Sequence, residues 1–151
     1  MPVISFRVHG VPRPGGSKKA FYIKKLGRSM IVDSSKYIKQ WRADVKEAAM
    51  LNYGNIVPLD CPLELEIVFY MPRPKAHYKT GKHSGELKES APTWHTSKPD
   101  ATKLLRGTED ALTGILWKDD SQIFRQLIVK MYDERPGADI SIRWKDENER
   151  E

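Results

Sequence analysis

Between Val3 and His9, Ile4, Phe6 and Val8 alternate with Ser5, Arg7 and His9, the two-residue period of a half-buried strand. Leu63 to Met71 repeats that period most clearly, with Leu63, Leu65, Ile67, Phe69 and Met71 set against Glu64, Glu66, Val68 and Tyr70. Phe21–Lys24 and Ser29–Val32 are shorter strand candidates around Gly27, consistent with a hairpin. The period then lengthens. Asp33, Ser34 and Ser35 open a helix predicted to run to about Asn52, ahead of Gly54, with Tyr37, Trp41, Val45, Ala48 and Ala49 on one stripe. That stripe reads as core rather than as a base-stacking platform, because it has the spacing of simple amphipathic burial, and the strand at 63–71 is expected to pack on it.

A second helix is predicted from Ala101 to Thr113, with Ala101, Leu104, Leu105, Thr108, Ala111 and Leu112 making the buried face. Gly114 supplies a left-handed stop. The opposite face gathers Thr102, Arg106, Glu109 and Thr113, with Asp110 on its flank and Asp100 just ahead of the helix. Ile115, Leu116 and Trp117 then form a short apolar strand or turn returning alongside the helix toward Asp119 and Asp120. Ile123–Tyr132 and Asp139–Trp144 read as strands joined through Arg135, Pro136 and Gly137, which predicts an antiparallel hairpin. The element order predicts an α+β fold: a single domain over residues 1–151, with a mixed β-sheet packed by two main helices.

Composition is that of a globular chain: 151 residues, 39% hydrophobic and 30% charged. No apolar run approaches the roughly 20 residues of a membrane helix, and the first residues lack the pattern of a secretory signal. One cysteine, Cys61, rules out an internal disulfide or a multi-cysteine zinc site and points to a reducing, intracellular setting. Net charge is +6, and its placement is uneven. Arg13, Lys18, Lys19, Lys24, Lys25 and Arg28 fall within residues 11–30, which hold no acid. Residues 73–98 lack periodicity and carry Lys75, Lys79, Lys82, Lys88 and Lys98, and they read as a basic flap beside the acidic helix. Both segments suit phosphate contacts, and the first is equally compatible with a solvated loop. His77, His83 and His95 match no helical or finger-type zinc spacing. Tyr78 and Trp94 are candidates to stack on bases. An acidic tail occupies residues 145–151.

Separated carboxylates brought together by a fold, with a cation among them, are what divalent-metal phosphodiester chemistry requires. The same residues have a plainer reading: Asp100 as a helix N-cap, Glu109 and Asp110 as a solvated face, Asp119 and Asp120 as a turn.

Lys98-Pro99-Asp100 followed by Leu104, then Asp110-Ala111-Leu112-Thr113-Gly114, then Asp119-Asp120-Ser121-Gln122-Ile123 resembles the signature of the RusA-type Holliday-junction resolvases, often carried by prophages. The match spans Lys98 to Ile123, and the N-terminal strand, Pro-rich basic loop and terminal hairpin suit that family's small α+β fold. The resemblance implies a homodimeric, magnesium-dependent endodeoxyribonuclease, with manganese as a substitute ion. Such an enzyme cuts paired strands of four-way DNA junctions in recombination and repair, in the cytoplasm of a bacterium or of a phage-infected host. It places Asp100 and Asp120 as metal ligands and matches Asp119 and Asp110 to acidic positions of the pattern.

This chain departs from the pattern in two places. The family follows its first Asp with x-Asp-Asn-Leu-x-Lys, whereas here Thr102 replaces the second acid and Arg106 the lysine. Arginine can clamp a phosphate but does not readily give up a proton. Glu109, on the face of Thr102, is the candidate to restore the missing carboxylate. Asp100, Asp120, Arg106 and Glu109 are therefore the candidate catalytic residues, and Asp100, Asp120, Asp119 and Glu109 the candidate metal ligands. Arg13, Lys18, Lys19, Lys24, Lys25, Lys75, Lys79, Lys82, Lys98 and Lys103 are the candidate DNA contacts. Two other outcomes stay open: a catalytically impaired module that binds branched DNA, and a nuclease for other branched DNA.

Overall fold

A computed structural model describes residues 2–15, 18–23, 28–33 and 37–145, with 18–23 and 28–33 as backbone only. Among the described residues six strands and two α-helices follow in the order β1 Val3–His9, β2 Lys18–Ile23, β3 Arg28–Asp33, α1 Ile38–Tyr53, β4 Leu63–Met71, α2 Ala101–Leu112, β5 Ile123–Tyr132 and β6 Gly137–Trp144. The fold is α+β, as the pattern of periods predicts. A four-stranded mixed sheet has the order β1-β6-β4-β5, and β2 and β3 form a separate antiparallel ribbon.

The alternation in β1 and β4 decides which face of the sheet is covered. Ile4, Phe6, Val8, Leu63, Leu65, Ile67, Phe69 and Met71 are all buried, together with Ile140 and Ile142 of β6. Onto that face α1 delivers Ile38, Trp41, Val45 and Ala49, and the Trp41 and Phe69 rings meet with centroids 6.5 Å apart. The other face is polar and pairs across strands: Ser5 with Ser141 at 3.0 Å, Arg7 with Asp139 at 3.4 Å, Arg125 with Glu66 at 3.2 Å.

Three expectations change. Asp33 ends β3 instead of opening a helix; α1 starts at Ile38, and Tyr37 at its N-cap is 51% exposed, stacked beneath the Arg13 guanidinium at 4.7 Å. Strands β5 and β6 are not a hairpin. β5 pairs in parallel with β4, and β6 lies on β4's other side, antiparallel to both β4 and β1. The physical reason is the helix between β4 and β5: a crossover carrying α2 returns the chain to the same end of the sheet, which forces parallel pairing. Alternation reveals the buried face of a strand but not its neighbour.

Residues 73–98 are a pinned strap rather than a free flap. The His95 N–H donates to the Lys130 carbonyl at 3.1 Å and the Tyr132 N–H to the Thr93 carbonyl at 2.9 Å, so the strap covers the outer edge of β5. Arg73 ties its two ends, donating to the Pro92 carbonyl at 2.7 Å. Covering an edge in this way satisfies backbone groups that would otherwise template aggregation.

Helix α2 is seated through two close contacts. Gly107 is buried where the loop from β1 crosses it, and the Gly15 N–H donates to the Lys103 carbonyl at 2.9 Å. A Cβ on Gly15 would lie 2.7 Å from the Gly107 Cα, so the crossing leaves no room for a side chain on Gly15, and one on Gly107 would press on Ile38. Nearby, Trp41 Nε1 donates to Thr108 Oγ1 at 3.1 Å, and that hydroxyl donates to the Leu104 carbonyl at 2.9 Å. Both side chains are fully buried.

Thr108→Val keeps the shape but leaves the indole N–H without an acceptor, a loss of about 1–3 kcal/mol. Thermal denaturation should show Tm falling by about 2–4 °C for each kcal/mol lost. An unchanged Tm would mean that the Trp41–Thr108 bond does not hold the two helices together.

Candidate active site

Asp100 is the N-cap of α2, and its Oδ1 accepts the Lys103 N–H at 3.0 Å. Capping occupies one lone pair of a carboxylate that has about four, so this role leaves the group able to bind a cation. The Lys98–Pro99 peptide just ahead of it is cis. Arg106 is exposed on the next turn, and Thr102 and Lys103 are exposed beside Asp100.

Glu109 departs from expectation. It lies on the polar stripe, yet it is only 8% exposed, because β5 covers that flank of the helix. Gln126 of β5 donates its amide N–H to Glu109 Oε1. Burial pushes the Glu109 carboxyl up to about 7; the Gln126 bond opposes the shift, the negative charges of Asp120 and Asp110 add to it, and Arg106 draws it down. An acid held this high beside another acid carries charge that its surroundings do not balance.

The adjacent acids Asp119 and Asp120 are divided by the backbone. Asp119 accepts the Ser121 N–H at 2.8 Å and forms a capping box with Gln122, whose side chain accepts the Asp119 N–H at 2.7 Å. The hydrogen bonds from Ser121 hold its carboxyl below the usual range. Gln122 also donates to the carbonyls of Leu59 and Cys61, at 2.9 and 3.0 Å, locking the turn to the entry of β4. Asp120 is exposed and close enough to Glu109 for their charges to interact. Upstream, Gly114 takes φ +89° as expected, and Trp117 Nε1 donates to Thr113 Oγ1 at 3.0 Å, closing the turn after α2.

Helix α2 runs antiparallel to β5. Its start lies beside Lys130, which donates to the Pro99 carbonyl, and Glu109 lies beside Gln126. Nine residues of helix rise about 13 Å, and four residues of strand rise about 13 Å, so the two elements stay in step. The same arithmetic sets Asp100 and Glu109 at opposite ends of an elongated site, with Arg106 between them. Among the described residues no group of three or more His, Cys, Asp and Glu converges as a metal cage. Carboxylate oxygens are nonetheless the right chemistry for magnesium or manganese, and magnesium is usually held by one or two carboxylates with substrate phosphates and water completing the shell.

The expected DNA contacts are spread widely. Lys75, Lys79, Lys82 and Lys98 are exposed on the strap, with Lys79 paired to Glu86 at 3.5 Å, and Lys103 is exposed on α2. Arg13 is partly covered over Tyr37. Lys18 and Lys19 lie on β2, and Lys24 and Lys25 lie outside the described residues. The three histidines stay apart from a common centre: His77 and His95 flank Tyr132 at 4.7 and 5.0 Å, and His83 sits 3.6 Å from Glu86. Gln126 is the site residue the sequence reading missed. The alternation of β5 would place it on the helix side, but only the pairing with α2 reveals what it meets.

A small α+β domain with an acid-capped helix and a second acidic pole at the start of an edge strand defines a candidate phosphodiester hydrolase. Comparison with known proteins narrows the class: the family model of endodeoxyribonuclease RusA matches residues 12–143, and the chain belongs to that family of DNA hydrolases. It is also 32% identical over 147 residues to the uncharacterized protein YqaN of Bacillus subtilis (strain 168), across 95% of this chain and 97% of that protein. No helix among the described residues is long and apolar enough to cross a membrane.

The raised Glu109 carboxyl has a signed consequence for stability. The folded state keeps its proton up to about pH 7 while the unfolded chain releases it near 4.5, so stability falls as pH rises between those values and is level above them. Glu109→Gln keeps an acceptor for Gln126 and removes this cost. Without metal, the variant should match the wild type at pH 4.5 and exceed it at pH 8 by about 3 kcal/mol, or roughly 6–12 °C in Tm. Equal Tm values at both pH values would show that Glu109 is not held in a charge-excluding site.

Proposed function

We propose that this protein is a magnesium-dependent endodeoxyribonuclease that resolves four-way DNA junctions by paired strand cleavage, acting as a homodimer in the cytoplasm of a bacterium or of a host carrying the phage. Membership of the RusA family supports the junction substrate. The observation that carries the catalytic reading is the buried Glu109 beside Asp120, a carboxylate pair in a chain whose pattern lacks the second acid at Thr102.

In this reading Glu109 and Asp120 would hold a hard cation at one end of α2, with Asp119 shaping the turn or lending a further oxygen, while Asp100 at the helix start would bind a second cation or its waters at the other pole. Magnesium or manganese, when bound, lowers the pKa of a water and screens the scissile phosphate. Arg106, between the two poles, meets the charge that develops on phosphorus without moving a proton. The lysines of the strap, Arg13 of the β1–β2 loop and the lysines of residues 18–25 hold the junction arms by their phosphates, a grip that weakens with salt. Two copies related by a twofold axis present two sites to symmetry-related strands.

A second reading has one observation in its favour. Thr102 stands exposed in the place of an acid, and loss of that ligand is compatible with a module that binds branched DNA and leaves it intact.

The deciding experiment incubates a synthetic four-way junction with protein and magnesium, alongside flap and duplex controls. The wild type should cut paired strands, and Asp120→Asn and Glu109→Gln should each lose at least about 100-fold in rate, the scale of removing one transition-state contact. Retention of the junction without cleavage, with cutting gained on Thr102→Asp, would establish the binding module instead. Preferential cutting of flaps would reassign the substrate.

A further inference from the structure

Lys130 lies four residues beyond Gln126 on β5, hence on the same side of the strand. Its ammonium donates to the Ser97 carbonyl at 3.0 Å and to the Pro99 carbonyl at 2.9 Å, while its own carbonyl accepts the His95 N–H at 3.1 Å. Three points of the segment 95–99 are thus fastened to one residue of the sheet. The next residue along the chain is Asp100.

Asp100 depends on this segment for its place. It is exposed, and among the described residues its carboxylate makes one hydrogen bond, with the Lys103 N–H of its own helix. A cap of this kind fixes the side chain relative to α2 but not the path by which the chain enters the helix. The Pro99 carbonyl belongs to the peptide that joins Asp100, so the ammonium acts on the peptide plane that sets the backbone angle of the cap. His95 adds to the anchor. Its ring is 7% exposed against Tyr132, and burial and the Lys130 charge both lower its tendency to take a proton, which avoids repulsion between two cations at the clamp.

Lysine suits the task. Its ammonium carries three rotatable donors on a flexible stem and can satisfy two carbonyls from one point. The ion-to-dipole bonds that hold those carbonyls are stronger than neutral ones. We propose that Lys130 is a positioning residue for Asp100, clamping the 97–99 turn so that the first acid of the site is presented at a fixed angle at the head of α2. The catalytic consequence rests on the resolvase reading; the clamp itself does not.

Two measurements on Lys130→Met and Lys130→Arg keep these parts distinct. Hydrogen exchange at the Lys103 amide, in metal-free protein, reads the Asp100 cap directly. It should quicken about 10-fold in Lys130→Met, the scale of losing one charge-assisted hydrogen bond, while the amides of Ile67 and Ile140 in the sheet exchange as in the wild type. Lys130→Arg, whose fork can also bridge two carbonyls, should restore most of the protection. On the four-way junction, kcat of Lys130→Met should fall about 10–100-fold, the usual effect of a group orienting a ligand, with KM unchanged and arginine recovering much of the rate. Unaltered exchange at Lys103, or faster exchange across the whole sheet, overturns the clamp. Lost protection with unchanged kcat, or a loss confined to KM, overturns its role in catalysis. If the wild type binds the junction without cutting, the resolvase reading fails, and the exchange result still decides the clamp.

Discussion

Burial of one carboxylate at the seam between α2 and β5 is the constraint on which the site depends. The apolar stripe of α2 places Leu104, Ala111 and Leu112 in the core, and Gly107 lets the loop from β1 approach the backbone directly. Once that stripe is seated, the crossover lays β5 along the helix flank, and Glu109 is carried into the seam whether or not its charge is welcome. Gln126 returns one hydrogen bond, which is too little to hold the charged form at its ordinary pKa. The fold therefore stores an unbalanced acid beside Asp120. Packing that an apolar residue would also have satisfied has instead set two carboxyl groups close together, with Glu109 biased toward its protonated form.

Topology explains why such a point lies at the border of the sheet. A four-stranded mixed sheet with a parallel edge strand leaves one side of β5 without a strand partner. The strap supplies the missing partners at Thr93 and His95, and the first half of β5 stays more open, with Phe124 64% and Leu127 45% exposed. The covered half of β5 adjoins the start of α2, and the open half adjoins Glu109 and Asp120. One end of the site is thus rigidly walled while the other is accessible, an arrangement suited to a bulky polyanion entering from the open end.

Local signals reveal local structure here. The strict alternations of β1 and β4 and the stripe of α2 each gave the buried face correctly, and Gly114 marked the end of α2. Pairing was not legible, because Ile140 and Ile142 alternate in the same way whether β6 lies beside β5 or between β1 and β4. For the same reason Glu109 looked solvated: a helical period separates the apolar stripe from the polar one, but it carries no information about a strand arriving later to cover the boundary. The strap was illegible in another way. Its order comes from single backbone bonds to β5 and from Arg73 reaching the Pro92 carbonyl, and none of these leaves a periodic trace in composition. The pattern Lys98 to Ile123 was legible as family membership because it joins several separated pieces in a fixed order, core positions such as Leu104 and Leu112 and the Gly114 stop among them.

The Asp119–Asp120 pair shows how the backbone divides labour that sequence alone presents as redundancy. Two adjacent acids at a turn are interchangeable in charge and size, yet the capping box fastens Asp119 to Ser121 and Gln122 and, through Gln122, to the carbonyls of Leu59 and Cys61. With its neighbour thus committed, Asp120 stands at the first position of a short turn whose orientation is set by β4. The same division recurs at the other pole, where Asp100 uses one oxygen to cap α2 and keeps the rest of its carboxylate exposed. At one pole the cap uses an oxygen of Asp100 itself, and at the other it uses Asp119 and leaves Asp120 exposed, so the capping of the two turns decides which carboxylate oxygens face solvent.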